Sequence, residues 1–280
     1  MSTDPLAGLA PLLDDPAAGL AEDELKACCA SAYEQPMVRW LLGGELHPGG
    51  EQATRRALEL AGVRSGSRLV DVASGSGASA LLAARELGCE AIGIDYGEGA
   101  VLGATAAAVA EGLDDRVVFV RGDSEALPLP DASVDALLCE CSLCTFPDKA
   151  VAMAEMRRVL RPGGSVAISD VVADHERLPP SLRGALATIA CVGSALPRGG
   201  CEAMLGEAGF EVLAAEARDE DAARFTEGIE ERLRGARLLG LGPPPGSPFG
   251  LEQAIELVGL ARRSIDAGAL GYSIVAGRAR

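Results

Sequence analysis

Positive charge is scarce in this 280-residue chain: 25 Lys and Arg stand against 41 Asp and Glu, a formal net charge of -16 at pH 7. A nucleic acid or an anionic membrane is bound through a basic patch, which this balance does not supply. Small neutral or cationic ligands suit it better. Long apolar runs are missing too, since none reaches the roughly 18 to 20 residues a membrane span requires. The opening Met1-Ser2-Thr3-Asp4-Pro5 lacks the basic segment and apolar stretch of a secretion signal, so a cytoplasmic location is expected. In that reducing compartment the eight cysteines are expected to be free, catalytic or ligand-binding. Histidine is nearly absent: His47 and His175 are the only two, and neither lies in a His/Asp or His/Glu pattern that would mark a general base. No internal repeat or long low-complexity tail is present, and the length fits one domain with or without an appended lobe.

Residues 1–62 lack a strand pattern and read as helices, broken by Pro36 and by the turn Leu46-His47-Pro48-Gly49-Gly50. This stretch is expected to form a helical lid. From Arg68 the texture changes to short aliphatic runs alternating with helical segments, the pattern of repeated βαβ units and a parallel sheet. Strands are expected at 68–73, 90–95, 117–120, 134–140 and 164–171, with helices at 78–87, 98–111 and 148–160 between them. Arg161-Pro162-Gly163-Gly164 should turn the chain into the fifth strand. Beyond Asp170 the expected elements are helices near 181–191, 200–208, 221–238 and 251–266, and strands at 210–216 and 271–277. Gly242-Pro243-Pro244-Pro245-Gly246 reads as a loop. The resulting division is a lid over 1–62, a core over 63–172 and a substrate-side segment over 173–280.

Leu69-Val70-Asp71-Val72-Ala73-Ser74-Gly75-Ser76-Gly77 is an apolar strand running into a glycine turn that opens a helix. Such a turn lets backbone N–H groups approach a ligand with no side chain in the way. Gly93-Ile94-Asp95 then ends the second strand on a carboxylate, where a ribose diol finds an acceptor. After the third strand, Gly122-Asp123-Ser124-Glu125-Ala126-Leu127-Pro128 offers an acid and a hydroxyl to an adenine edge. In this order, with Val159-Leu160-Arg161-Pro162-Gly163-Gly164 before the fifth strand, these motifs resemble the class I S-adenosylmethionine methyltransferases over residues 65–172. A nicotinamide fingerprint fits less well, because Ala80 stands where its third glycine belongs. The resemblance implies an α/β Rossmann-like fold, a mostly parallel seven-stranded sheet with helices on both faces. It also implies S-adenosyl-L-methionine bound by Asp71, Gly75, Gly77, Asp95, Tyr96, Asp123, Ser124 and Cys139.

The end of the fourth strand carries Cys139-Glu140-Cys141-Ser142-Leu143-Cys144, three sulfurs at the carboxyl edge where α/β proteins bind ligands. Cys139 and Cys141, two apart, would share a face if the strand continued. Cys141 followed by Pro147-Asp148-Lys149, Leu178-Pro179 with Arg183, Cys191-Val192-Gly193, and Ala208-Gly209-Phe210 resemble the arsenite S-adenosylmethionine methyltransferases. That narrower resemblance implies that Cys141 and Cys191 hold trivalent arsenic, with a third thiolate from the Cys28-Cys29 pair, Cys29 being favoured, and a thiol reductant as partner. Soft trivalent arsenic prefers thiolates to oxygen ligands, and its lone pair is the nucleophile, so no general base is required. Glu140, Cys144, Ile189-Ala190 and the His47 turn depart from that family and leave antimonite, other metalloids or an organic thiol as possible acceptors. Two other readings compete: a small-molecule methyltransferase with packing cysteines, and a non-catalytic metal sensor or buffer built on Cys139, Cys141 and Cys144. The sensor lacks paired Cys-x-x-Cys knuckles. Cys89 and Cys201 are expected to pack in the core, and His175 to lie on the surface.

Overall fold

The computed structural model describes residues 22–44, 46–183, 191–241 and 250–280. Three helices come first: α1 (Glu22–Glu34), α2 (Pro36–Leu42) and α3 (Gly50–Leu60). Pro36 opens α2 at its first turn, where its missing N–H costs nothing, and the His47-Pro48-Gly49 turn delivers the chain into α3. The sheet and its helices follow as β1 (Arg68–Val72), α4 (Ala78–Leu87), β2 (Glu90–Asp95), α5 (Glu98–Glu111), β3 (Val117–Arg121), β4 (Val134–Glu140), α6 (Lys149–Val159) and β5 (Leu160–Ala173). The chain then adds α7 (Gly200–Glu207), β6 (Phe210–Ala217), α8 (Asp219–Leu238), α9 (Leu251–Asp266) and β7 (Leu270–Ala279). These bounds match the expected ones to within a few residues. The predicted helix near 181–191 falls largely on residues outside the described ones, as does the Gly242–Gly246 loop.

The seven strands run in the order β3-β2-β1-β4-β5-β7-β6, with β1 to β5 parallel and β7 antiparallel between β5 and β6. This is the doubly wound, Rossmann-like sheet the motifs implied. Its central strands are apolar on both faces because both are covered. Val70, Leu137, Cys139 and Ile168 face α6 and α7, while Leu69, Ala136, Leu138 and Ala167 face the alanine-rich sides of α3, α4 and α5. Helix α3 thus shares the sheet's core cluster, whereas α1 lies over the carboxyl edge. A third cluster, built around Leu178, Val192, Leu270 and Tyr272, lies beyond the carboxyl end of β5.

Two local departures have physical causes. Strand β5 begins at Leu160, ahead of Gly164, because Leu160 already pairs with Val134 before the register shifts. Helix α6 begins at Lys149 and not at 148, because the Asp148 carboxylate accepts the Val151 N–H at 3.0 Å as an N-cap.

Gly77 adopts φ +77°, and a Cβ there would collide with the buried Phe119 ring. Gly77→Ala should therefore destabilise the fold by about 2 to 4 kcal/mol, the sum of a left-handed residue and overpacking. Urea denaturation measures it, and a wild-type midpoint would contradict this turn geometry.

Candidate active site

A cleft with about 940 Å³ of empty, partly open space runs along the carboxyl edge of the sheet. Its floor follows the strand order: Asp123 and Ser124 after β3, Asp95 and Tyr96 at the end of β2, Ala73 and Gly75 after β1, and Glu140 and Cys141 at the end of β4. Lys26, Cys29, Ala30 and Tyr33, spaced as one face of a helix, bring α1 over it.

The Asp95 carboxylate accepts the Gly75 N–H at 2.7 Å and the Gly97 N–H at 2.8 Å, which fixes the glycine turn to the second strand. Burial raises its pKa, and those N–H groups oppose the rise. Asp71 is placed differently from the expectation: it is buried beneath the turn, does not line the cleft, and has one oxygen without a partner. Burial, then the charges of Glu140 and Asp95, push its pKa well up, against the Ala80 N–H that bonds it. Gly77 likewise stands behind the cleft, admitting Phe119. Cys139, assigned to the cofactor from sequence, is corrected to a core residue, fully buried with Leu137 and Ile168. It shares no face with Cys141, because the strand ends at Glu140 and Cys141 turns away at φ +51°. Cys89 and Cys201 pack in the two core clusters.

The cleft fits an elongated cofactor of adenine, ribose and amino-acid parts. Its lining follows the ends of four neighbouring strands, and Gly75 takes φ +52°, a left-handed backbone suited to glycine, with Leu46 packed close above it. Asp123 with Ser124, and Asp95 with Tyr96, occupy one end, leaving the other end to Glu140 and Cys141.

Cys191 meets the fourth-strand cysteines. Its thiol donates to the Cys141 carbonyl at 3.5 Å, the thiols of Cys141 and Cys144 act on it electrostatically, and Tyr33 Oη stands 3.1 Å from its sulfur. Sharing the protons of Cys141 and Cys144, with help from Tyr33, draws Cys191 well below the usual thiol range despite burial. Cys141 is pushed up by that same sharing and then by burial, and Cys144 by burial and then by the sharing. Asp170, which accepts the Cys144 N–H at 2.8 Å, is pushed up to about 7 by burial and by Cys191. Cys141 (φ +51°) and Cys191 (φ +63°) both occupy left-handed backbone, as does Ala73 (φ +59°) at the cleft floor. For residues with a Cβ this costs roughly 1 kcal/mol or more each, and such conformations cluster at functional sites. Cys29 lines the cleft one helical turn from Tyr33, and Cys141, Cys144 and Tyr33 are among the groups that surround Cys191. The side chain of Cys28 lies outside the described residues. Among the described residues no three His, Cys, Asp or Glu side chains are already arranged around a metal ion.

Three participants were not legible in the sequence. Lys26 Nζ reaches Asp123 Oδ2 at 2.8 Å and Glu125 Oε2 at 2.6 Å, tying α1 to the loop after β3. Tyr33 is the second. The third is Glu140, whose carboxylate takes hydrogen bonds from Thr54 and Ser79 and has His47 Nε2 at 3.7 Å. The sequence held no His/Glu pattern because 93 positions separate the pair, yet the turn before α3 brings them together. His175 is also corrected: it is half-buried and its Nε2 bonds the Ala195 carbonyl at 2.9 Å. Lys26→Ala should release α1 and expose it to protease while the sheet melts as before. Limited proteolysis reads this, and an unchanged cleavage rate would show that Lys26 does not hold the helix.

Comparison with known proteins agrees with this geometry. Residues 70–168 match the model of the methyltransferase domain family. An arsenite methyltransferase of Halobacterium salinarum is 33% identical over 64% of this chain, which spans 46% of that relative's length. A 27-O-demethylrifamycin SV methyltransferase of Amycolatopsis mediterranei is 34% identical over 67% of this chain and 71% of its own. Phosphoethanolamine N-methyltransferase 2 of Haemonchus contortus, solved with phosphomonomethylethanolamine and S-adenosylhomocysteine, shares the fold at a TM-score of 0.76 and 18% identity. It covers 93% of this chain and 60% of that one. The chain belongs to the class I S-adenosylmethionine-dependent methyltransferases. Its cofactor is S-adenosylmethionine, and no helix among the described residues is long and apolar enough to cross a membrane.

Proposed function

We propose that this protein methylates a trivalent metalloid, arsenite in the first instance, held by Cys141, which lines the methyl-donating end of the cleft, and by Cys191, which contacts Cys141 just outside the lining. The observation that carries this reading is the meeting of Cys141, Cys144 and Cys191 from two distant segments, with Cys141 and Cys191 both on left-handed backbone, beside the cofactor cleft. The bound cofactor supplies a transferable methyl on a sulfonium. Cys141 and Cys191 grip and orient the soft acceptor, Tyr33 hydrogen-bonds the Cys191 sulfur, and α1 shields the cleft from water. Aligning a lone pair on an electrophilic carbon is the larger part of such catalysis. Cys29 is the third ligand on this reading, brought across from α1, with Cys144 as its competitor. Among the described residues no three donors surround one point beforehand, so on this reading the incoming atom itself draws the sulfurs together. Helix α1 then acts as the lid; α3, which the sequence reading counted with it, belongs to the cofactor core against the sheet, and the described residues beyond 173 form the acceptor side.

The rifamycin-modifying relative, matched over 71% of its length, supports a second reading with an organic acceptor and thiols that only pack. Release of S-adenosylhomocysteine by reduced protein, measured with arsenite, antimonite, small thiols and hydroxyl acceptors, separates the two. Turnover with arsenite supports the metalloid reading. Turnover with a hydroxyl acceptor and none with metalloids would replace it.

A further inference from the structure

The departure Glu140 has a consistent explanation. Its side chain is 5% exposed and lines the cleft beside Cys141, so it is buried at the end that Asp95 and Asp123 leave to the reacting groups. Thr54 Oγ1 donates to its two oxygens at 3.1 and 3.2 Å, Ser79 Oγ at 2.5 Å, and Ser169 Oγ lies at 3.4 Å. Tyr272 Oη donates in turn to Ser169 at 2.9 Å, and His47 Nε2 stands at 3.7 Å. These donors come from α3, α4, β5, β7 and the turn before α3, so the carboxylate is held from every side. No Lys or Arg pairs with it among the described residues. A buried anion without a fixed cation suits a ligand that brings one.

We propose that Glu140 is the fixed anionic partner of the positive charge during methyl transfer, and that it directs the site toward neutral acceptors that become cationic when methylated. The new acceptor–carbon bond forms as the carbon–sulfur bond breaks, and the broken bond's electron pair stays on the donor sulfur. With a neutral lone-pair acceptor, the positive charge passes from the donor sulfur to the acceptor atom and no proton is released. A carboxylate beside both ends of that path stabilises the charge before, during and after transfer. An anionic acceptor would lose the charge altogether and would also be repelled by Glu140. A thiol-bound trivalent metalloid is a neutral acceptor of the favoured kind, and only this choice of acceptor rests on the function proposed above.

The test is binding, by calorimetry on the full chain, of S-adenosylmethionine, of sinefungin, which carries an ammonium near the sulfonium position, and of neutral S-adenosylhomocysteine. The native protein should prefer both cations to the neutral product. Glu140→Gln should lose about tenfold in affinity for the cations and less than about twofold for the product, the scale of one screened charge pair. Should the variant fail to fold, the three-ligand comparison on native protein still decides, because equal affinities there overturn the proposal. Equal losses for all three ligands in Glu140→Gln would also overturn it, leaving Glu140 a scaffold or a partner of the cofactor's amino group. The metalloid reading fails separately: loss of Cys191 should leave the cation preference intact.

Discussion

Cys191→Ser is expected to reduce arsenite-dependent formation of S-adenosylhomocysteine by about 100-fold or more, beyond the loss typical of groups that merely support a ligand. Serine is nearly isosteric but presents a hard oxygen, which soft trivalent arsenic does not prefer. The change also replaces the sulfur that lies 3.1 Å from Tyr33 Oη and 3.5 Å from the Cys141 carbonyl. Cofactor affinity should stay within about twofold, because Cys191 does not line the cleft and its loss removes no cofactor contact. Cys141→Ser should behave alike. The pair of measurements is decisive: unchanged turnover in both variants removes the metalloid mechanism, while lost turnover with lost cofactor binding would point to local collapse. Cys29→Ser and Cys144→Ser, assayed beside them, identify the third sulfur by whichever loses activity.

Asp95→Ala is expected to weaken binding of S-adenosylmethionine by about 30- to 100-fold whatever the acceptor, as loss of a buried charged hydrogen-bonding group does. Two effects combine. The carboxylate that the cofactor resemblance assigns to the ribose hydroxyls is gone, and the Gly75 and Gly97 N–H groups lose the acceptor that fixes the turn. Asp95→Asn separates them, since its amide oxygen keeps one of those N–H bonds while removing the charge. Calorimetry with S-adenosylhomocysteine measures both variants, and an unchanged affinity in Asp95→Ala would show that the ribose lies elsewhere.

The ordered motifs of residues 65–172 were legible because each is local. A strand, its turn and the next helix lie within one short window, so glycine and carboxylate spacing map directly onto the floor of the cleft. The same locality misled at Cys139 and Cys141. Alternation along a strand holds only while the strand lasts, and the left-handed turn at Cys141 ends it. Asp71 misled for a related reason, because an acid in a buried strand is read by analogy and its burial beneath the turn is set by packing. Tyr33, Lys26 and the His47–Glu140 pair were invisible because each depends on helices returning from elsewhere in the chain.

The amino-acid order alone determined the alternation of strands and helices, the parallel sheet and the cofactor edge, since hydrophobic periodicity and turn chemistry act over a few residues. It also placed sulfur at two turns near the reacting end. Only the tertiary structure decided which sulfurs touch, which acid faces the cleft and which supports the turn beneath it, and what covers them. Those outcomes depend on contacts between segments 50 to 158 residues apart, and such contacts follow from packing the whole core, not from any local pattern.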